Sequence, residues 1–164
     1  MRTYRLRTAT WVPRPIGAVF GFHADAGNLQ ELTPPWLDFR TLTPQPIEMR
    51  AGAVIEYRIR LRGVSMRWLT EITEWAPQDH FVDVQRRGPY RLWEHRHEFE
   101  EKNGGTEIRD DVRYAVPFGW AVHAWLVAPD VRRIFAYRHA KLLERFGGSL
   151  ADQPARVELS RLDV

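Results

Sequence analysis

Hydrophobic and polar residues alternate with period two through residues 81 to 116, FVDVQRRGPYRLWEHRHEFEEKNGGTEIRDDVRYAV. The run is long enough to set a strand register. Asn103-Gly104 divides it, and Asn-Gly is the dipeptide that best accepts the positive φ angles of a two-residue type I′ turn. With Lys102 facing Gly105, that turn puts Phe99 opposite Ile108, His97 opposite Asp110, His95 opposite Val112 and Trp93 opposite Tyr114. The other face then carries Glu98 against Arg109, Arg96 against Asp111 and Glu94 against Arg113, three opposite-charge pairs suited to water. A slip of one residue would destroy all three. The face bearing Trp93, His95, His97, Phe99, Ile108, Asp110, Val112 and Tyr114 therefore looks into the protein.

The rest of the chain is organised around this hairpin. Residues 3 to 11 alternate as a strand ended by Pro13. Pro15 opens a short helix on which Ile16, Val19, Phe20 and His23 share a face, and Asp25 or Asn28 caps a second short helix through Leu32. Residues 38 to 43 read as an edge strand. AVIEYRIRLRG and SMRWLTEITEW form a hairpin. A type II′ turn at Gly63-Val64 would pair Ile59 with Trp68, Tyr57 with Thr70 and Ile55 with Ile72. Phe81, Asp83 and Gln85 share one side of the next strand, but the 86–91 loop leaves open whether Asp83 sits beside His95 or Trp93. After Pro117 the period becomes helical. GWAVHAWLVA is apolar nearly all round, and PDVRRIFAYRHAKLLERF carries a stripe of Val131, Ile134, Phe135, Leu142 and Phe146 with Arg138 in its middle. Gly147-Gly148 ends that helix. Residues 1–146 are expected to form one domain and 147–164 a mobile tail.

Composition narrows the functional classes. A chain of 164 residues with 44% hydrophobic content is the size of a single domain with room for a core and a pocket. It has no cysteine, which removes disulfides, Cys-ligated zinc and thiol catalysis. Its first residues lack the apolar stretch of a signal peptide, and no run has the length of a membrane span, so a cytoplasmic protein, not an integral membrane one, is expected. The net charge is +3, with 24 basic residues of which all but Lys102 and Lys141 are arginine. Most arginines alternate with apolar residues or face acids, so a solvated sheet face explains them better than a nucleic-acid groove.

The order of elements, one strand, two short helices, six antiparallel strands and a long amphipathic helix, describes an α+β fold. In it a curved sheet of about seven strands wraps around the C-terminal helix. Segments LTPPWLDF, GAVIEYRIRLRG to MRWLTEITEW, FVDVQRRGPYRLWEHRHEF and TEIRDDVRYAVPFG resemble the helix-grip superfamily of START lipid-transfer domains, the birch pollen allergen and aromatic polyketide cyclases. The likeness is narrower to the bacterial SRPBCC, cyclase/dehydrase-like branch, and spans roughly residues 3 to 146. It implies a START-like ligand-binding domain with an internal cavity. Because that scaffold hosts binding, transport and catalysis, function has to come from the site.

Inward polar residues mark that site, since a buried polar group without a partner costs on the order of 1 to 3 kcal/mol. The first reading is a binding protein for a small hydrophobic or aromatic molecule. Its walls would be Tyr57, Trp68, Trp93, Tyr114 and Phe135, and its polar groups Asp83, Gln85, His95, His97, Asp110 and Arg138. A second reading makes His97 and Asp110 the acid and base of a cyclase, dehydratase or isomerase acting on an aromatic or polyketide-like substrate. A third uses the apolar segment 119–128 to meet a protein or membrane. His95-x-His97 with Asp83 has the look of a metal pair but lacks a defined ligand set, and neither a metal nor another cofactor is expected.

Overall fold

The computed structural model describes residues 1–162. Its core element is an eight-stranded antiparallel sheet in the order β2-β3-β4-β5-β6-β7-β1-β8. In chain order these are β1 (Thr3–Val12), β2 (Arg40–Thr41), β3 (Val54–Leu61), β4 (Val64–Ala76), β5 (His80–Arg87), β6 (Leu92–Lys102), β7 (Gly105–Ala115) and β8 (Glu158–Leu162). Helix α1 (Ile16–Ala24) follows β1. A short α2 (Trp120–Val122) and a π-helical turn (His123–Val127) lead into the long α3 (Ala128–Phe146), which ends on Gly147 in the left-handed region.

The β6–β7 hairpin has the register that Asn103-Gly104 imposes: Phe99 faces Ile108, His97 faces Asp110, His95 faces Val112 and Trp93 faces Tyr114. Both turn residues have positive φ, 51° and 74°. The outward charges follow this register with one exchange. Arg109 and Arg113 reach Glu98 and Glu94 at 3.3 and 3.4 Å. Arg96 turns to Glu98 and Glu74 instead, at 2.8 and 2.9 Å, because its facing partner Asp111 is held by Arg5 of β1. A hairpin considered alone cannot reveal that a third strand competes for its charges.

The β3–β4 hairpin corrects the expected turn. Its central residues are Arg62 and Gly63, at φ 49° and 83°, not Gly63-Val64. The register is therefore Leu61 to Val64, Ile59 to Met66, Tyr57 to Trp68 and Ile55 to Thr70. Two consecutive positive φ angles make the type I′ geometry that matches strand twist, and Arg62 accepts the less favourable of them. Since the slip is by two residues, every side chain keeps its face. The second short helix is a 3-10 turn, Ala26–Gln30, with Asp25 Oδ1 accepting from the Gly27 N–H at 2.8 Å. The edge strand is only Arg40–Thr41.

The largest correction is at the C-terminus. Residues 158–162, expected in a mobile tail, pair antiparallel with β1, with Leu159 opposite Leu6. Gln153 also brackets Trp11, accepting from its N–H at 2.6 Å and donating to its carbonyl at 2.9 Å. The eighth strand thus comes from a segment too short and polar to announce itself by periodicity.

Two apolar clusters fill the concave side. One gathers Val12, Phe20, Phe99, Ile108, Leu142 and Phe146, and the other Leu6, Trp68, Trp93, Val112, Val131 and Phe135. Strands β1, β6 and β7 and helix α3 each contribute to both clusters and turn polar between them. Thr8 on β1, Asp83 on β5, His95 and His97 on β6, Asp110 on β7 and Arg138 on α3 make a polar layer between them.

Candidate functional site

That polar layer opens onto a cavity of about 180 Å³ between the sheet, the loop after α1 and helix α3. Of the residues expected at a site, Tyr57, Trp68, Asp83, Trp93, His95, His97, Phe135 and Arg138 line it. Three do not. Gln85 clamps the 86–91 loop, donating from Nε2 to the Tyr90 carbonyl at 2.7 Å while Oε1 accepts from the Tyr90 N–H at 3.3 Å. Tyr114 is fully buried and hydrogen-bonds through its hydroxyl to His123 Nε2 at 2.8 Å. Asp110 stands behind the histidines. The Gln85 clamp is also why alternation could not register this loop: a side chain, not a backbone turn, closes it. Asp83 comes to lie opposite His95.

Two carboxylates and two imidazoles interlock in that layer. His95 Nε2 donates to Asp110 Oδ1 at 2.8 Å and His97 Nε2 to Asp83 Oδ2 at 2.8 Å. Both bonds run diagonally across strand neighbours. His97 and Asp110 face each other in register, as expected, but the twist of the sheet turns the shorter contact to the diagonal partner. His97 Nδ1 remains 3.3 Å from Asp110 Oδ1. The two imidazole rings lie 3.7 Å apart, and Phe81 stacks on His97 at 4.1 Å. Thr8 donates to Asp110 Oδ2 at 3.1 Å.

Arg138 completes the cluster. It is only 7% exposed, with Nε 3.4 Å from Asp110 Oδ2 and Nη2 3.3 Å from His97 Nδ1. His97 Nδ1 thus lies between the Arg138 guanidinium and Asp110 Oδ1, 3.3 Å from each. Burial by itself would raise the Asp110 carboxyl, but Arg138 and the His95 and His97 bonds outweigh it and hold it well below the usual range. Burial likewise opposes ionisation of Asp83, and His97 with His95 and Arg138 overcomes it. Burial, then the neighbouring His97, depresses His95.

Asp83, His95 and His97 each offer a donor atom, all within 4.8 Å of one another. Those atoms are already engaged among themselves and with Asp110. The Arg138 guanidinium beside His97 also places a fixed positive charge where a metal cation would approach. The set is better described as a closed ionic network than as an open coordination sphere.

Among the lining residues that the sequence reading did not place at the site, Tyr90 and His23 bear most on its chemistry. Tyr90 sits in the loop of undetermined register and packs against Trp68 and Trp93. His23 shares the inward face of α1 with Val19 and Phe20, and that helical spacing was the available signal. Its Nδ1 bonds to the Val19 carbonyl at 2.8 Å, and burial pushes its pKa down to about 3. The apolar run 119–128 divides its side chains. His123 and Ala128 are buried, whereas Trp120, Trp125 and Leu126, with Phe118 before them, stay exposed, Phe118 at 85% and Trp125 at 78%. Among the described residues no helix is long and apolar enough to cross a membrane.

Comparison with known proteins places these features in context. Residues 12–138 match the family described as polyketide cyclase / dehydrase and lipid transport. Among solved structures, the protein TTHA0849 from Thermus thermophilus is 20% identical, with TM-score 0.64, 91% of this chain and 99% of that chain covered. The ginseng major latex-like protein 151 from Panax ginseng is 10% identical, with TM-score 0.62 over 88% and 98%. A nucleoside-diphosphate sugar epimerase from Corynebacterium glutamicum is 25% identical, with TM-score 0.62 over 84% of this chain but only 28% of that one. No curated protein gave a significant sequence match.

Proposed function

Because the chain belongs to the polyketide cyclase / dehydrase and lipid transport family, a helix-grip family, we propose that it binds a small hydrophobic or aromatic molecule between the curved sheet and α3. The observation that carries this reading is the cavity of about 180 Å³ with aromatic walls and a few convergent polar groups. That combination is usual for small-molecule sites. An apolar cavity of ~150 Å³ is enough to hold benzene, so the space suits a ligand of one or two rings. Tyr57, Trp68, Trp93 and Phe135 would supply apolar contact, and Asp83, His95, His97 and Arg138 would orient a polar end.

Acid–base catalysis is the second reading, and it draws on His97, which lines the cavity while Asp83 accepts its Nε2–H. Each ring nitrogen of His97 already has a protein partner, which favours a structural and orienting role over proton exchange with a ligand. Native mass spectrometry of freshly purified protein should detect a bound small molecule. Given that ligand, calorimetry and product analysis on wild type and His97→Gln separate the readings. A binder leaves the ligand chemically unchanged and tolerates the substitution with a modest change in affinity. Conversion that falls by about 100 to 10,000-fold in His97→Gln overturns the binder in favour of the enzyme.

A further inference from the structure

Among the described residues, His23 Nε2, Trp68 Nε1 and Arg138 Nε are buried polar atoms with no hydrogen-bond partner, and all three residues line the cavity; the Arg138 nitrogen still has the Asp110 carboxylate 3.4 Å away, which sets the His23 and Trp68 atoms apart. Their chemistry is opposite. Because His23 Nδ1 lies 2.8 Å from the Val19 carbonyl, that nitrogen must carry the proton, which leaves Nε2 as a bare lone pair. The neutral ring is kept so by burial, then by Arg138. Trp68 Nε1 can only donate. The indole is held by Tyr57 stacked at 5.7 Å and by Trp93 and Tyr90 edge-on, so it is not free to turn toward water.

Resting on the binding reading above, we infer that these two atoms are a ligand-recognition pair: His23 Nε2 accepts from a hydroxyl or N–H of the ligand, and Trp68 Nε1 donates to a ligand oxygen. The ligand class is then a neutral aromatic molecule carrying at least one hydrogen-bond donor. Charge argues in the same direction. Around the cavity the carboxylates Asp83 and Asp110, with Asp25 at the rim, face the single guanidinium of Arg138 and the imidazoles of His95 and His97. Arg138 already faces Asp110 at 3.4 Å, so its charge is balanced before a ligand carboxylate arrives, and that carboxylate would also meet Asp83. Leaving a buried acceptor unpaired is costly, and this is how a polar site rejects an analogue that lacks the matching group.

Equilibrium dialysis near pH 7.5 with three probes of one size tests this: naphthalene, 1-naphthol and 1-naphthoate. Wild type should bind 1-naphthol about tenfold more tightly than naphthalene, equivalent to about 1.4 kcal/mol, and should bind 1-naphthoate more weakly than either. In His23→Phe the preference for 1-naphthol should shrink to within about threefold while naphthalene affinity is kept, and Trp68→Phe should reduce it in part. Circular dichroism establishes that each variant is folded. If His23→Phe does not fold, His23→Gln, whose amide N–H can replace the ring N–H while its oxygen accepts, should keep a preference of several-fold. Equal wild-type affinity for naphthalene and 1-naphthol would overturn the inference and leave the cavity reading standing. So would tightest binding of 1-naphthoate, or an undiminished preference in folded His23→Phe. Failure of all three probes to bind folded wild type would overturn the cavity reading and this inference with it.

Discussion

Arg138 is the one basic side chain that α3 sends into the polar layer, and removing it isolates a charge. In Arg138→Met, Asp110 would remain 3% exposed with imidazole and threonine contacts but without its guanidinium. Breaking a buried ion pair from one side typically costs about 3 to 5 kcal/mol. A denaturant midpoint lowered with unchanged slope is expected, and an unchanged midpoint would show that the cluster does not depend on the arginine. Acid sensitivity is a second residue-scale property. His23 is pushed from 6.5 to about 3, so the unfolded chain binds the extra proton between those values. Its contribution to stability is complete above about pH 6.5 and declines as pH falls toward 3. Asp83 and Asp110, shifted down by their partners, contribute the same sign at lower pH, through stability lost below the ordinary carboxylate range. Thermal melts from pH 8 to 4 should therefore show a falling midpoint that begins before the carboxylates titrate. The drop between pH 6.5 and 4 should be smaller in His23→Phe, and identical profiles would refute the assignment.

At the scale of the element, the β6–β7 hairpin depends on its neighbour as well as on its turn. A Cβ on Gly105 would come 2.3 Å from the Val12 carbonyl and 2.7 Å from the Trp11 ring. That ring lies over the hairpin end, and its Nε1 donates to the Lys102 carbonyl at 2.7 Å. Gly105→Ala must move backbone or displace the indole, so it should destabilise by about 1 to 3 kcal/mol, the usual range for overpacking. Gly104→Ala meets no such atoms and is strained only through its positive φ of 74°. Chemical denaturation of both variants should therefore find Gly105→Ala the weaker protein. The opposite order would show that turn conformation, not the packing of Trp11, dominates there. The β3–β4 hairpin is tied outward in another way: Arg62 at its tip grips both Asp130 oxygens at 3.0 Å, joining the turn to the start of α3.

For the whole molecule, the C-terminal segment closes the structure. It covers the open side of β1, brackets Trp11 through Gln153, and accepts from His139 Nε2 at the Gln153 carbonyl, 2.8 Å away. The other nitrogen of His139 bonds Thr10 at 2.7 Å, so β1, α3 and this segment are locked together. Truncation after Gly148 would leave β1 as an exposed edge, and unpaired edges template association with other chains. The truncated protein should melt at lower temperature and enter larger species on size-exclusion chromatography. A monomer with the full-length melting temperature would assign the segment no structural role.

Local chemistry alone determined a good deal of this protein. Asn103-Gly104 and three opposite-charge pairs were sufficient to register β6 on β7, and with that register came the inward histidines and Asp110. A helical stripe interrupted by Arg138 left two readings, a head snorkelling to the edge or a guanidinium aimed at the inward carboxylates, and the contact with Asp110 at 3.4 Å is the second. These features were legible because periodicity and turn geometry act over a few residues. Four others were decided only by tertiary structure. The diagonal exchange that gives Asp110 to His95 and Asp83 to His97 arises from sheet twist. The transfer of Asp111 to Arg5 needs β1, 106 residues away. The closing of the 86–91 loop by Gln85, which brings Tyr90 into the cavity, uses side-chain bonds that no alternation encodes. Recruitment of residues 158–162 as an eighth strand depends on an edge that exists only once β7 has covered the other side of β1. The loop is closed by side-chain bonds spanning only five residues, which period-two patterning does not carry; in the other three cases the deciding contact joins groups distant in sequence or competing for one partner, and a pattern read along one strand cannot rank such competitors.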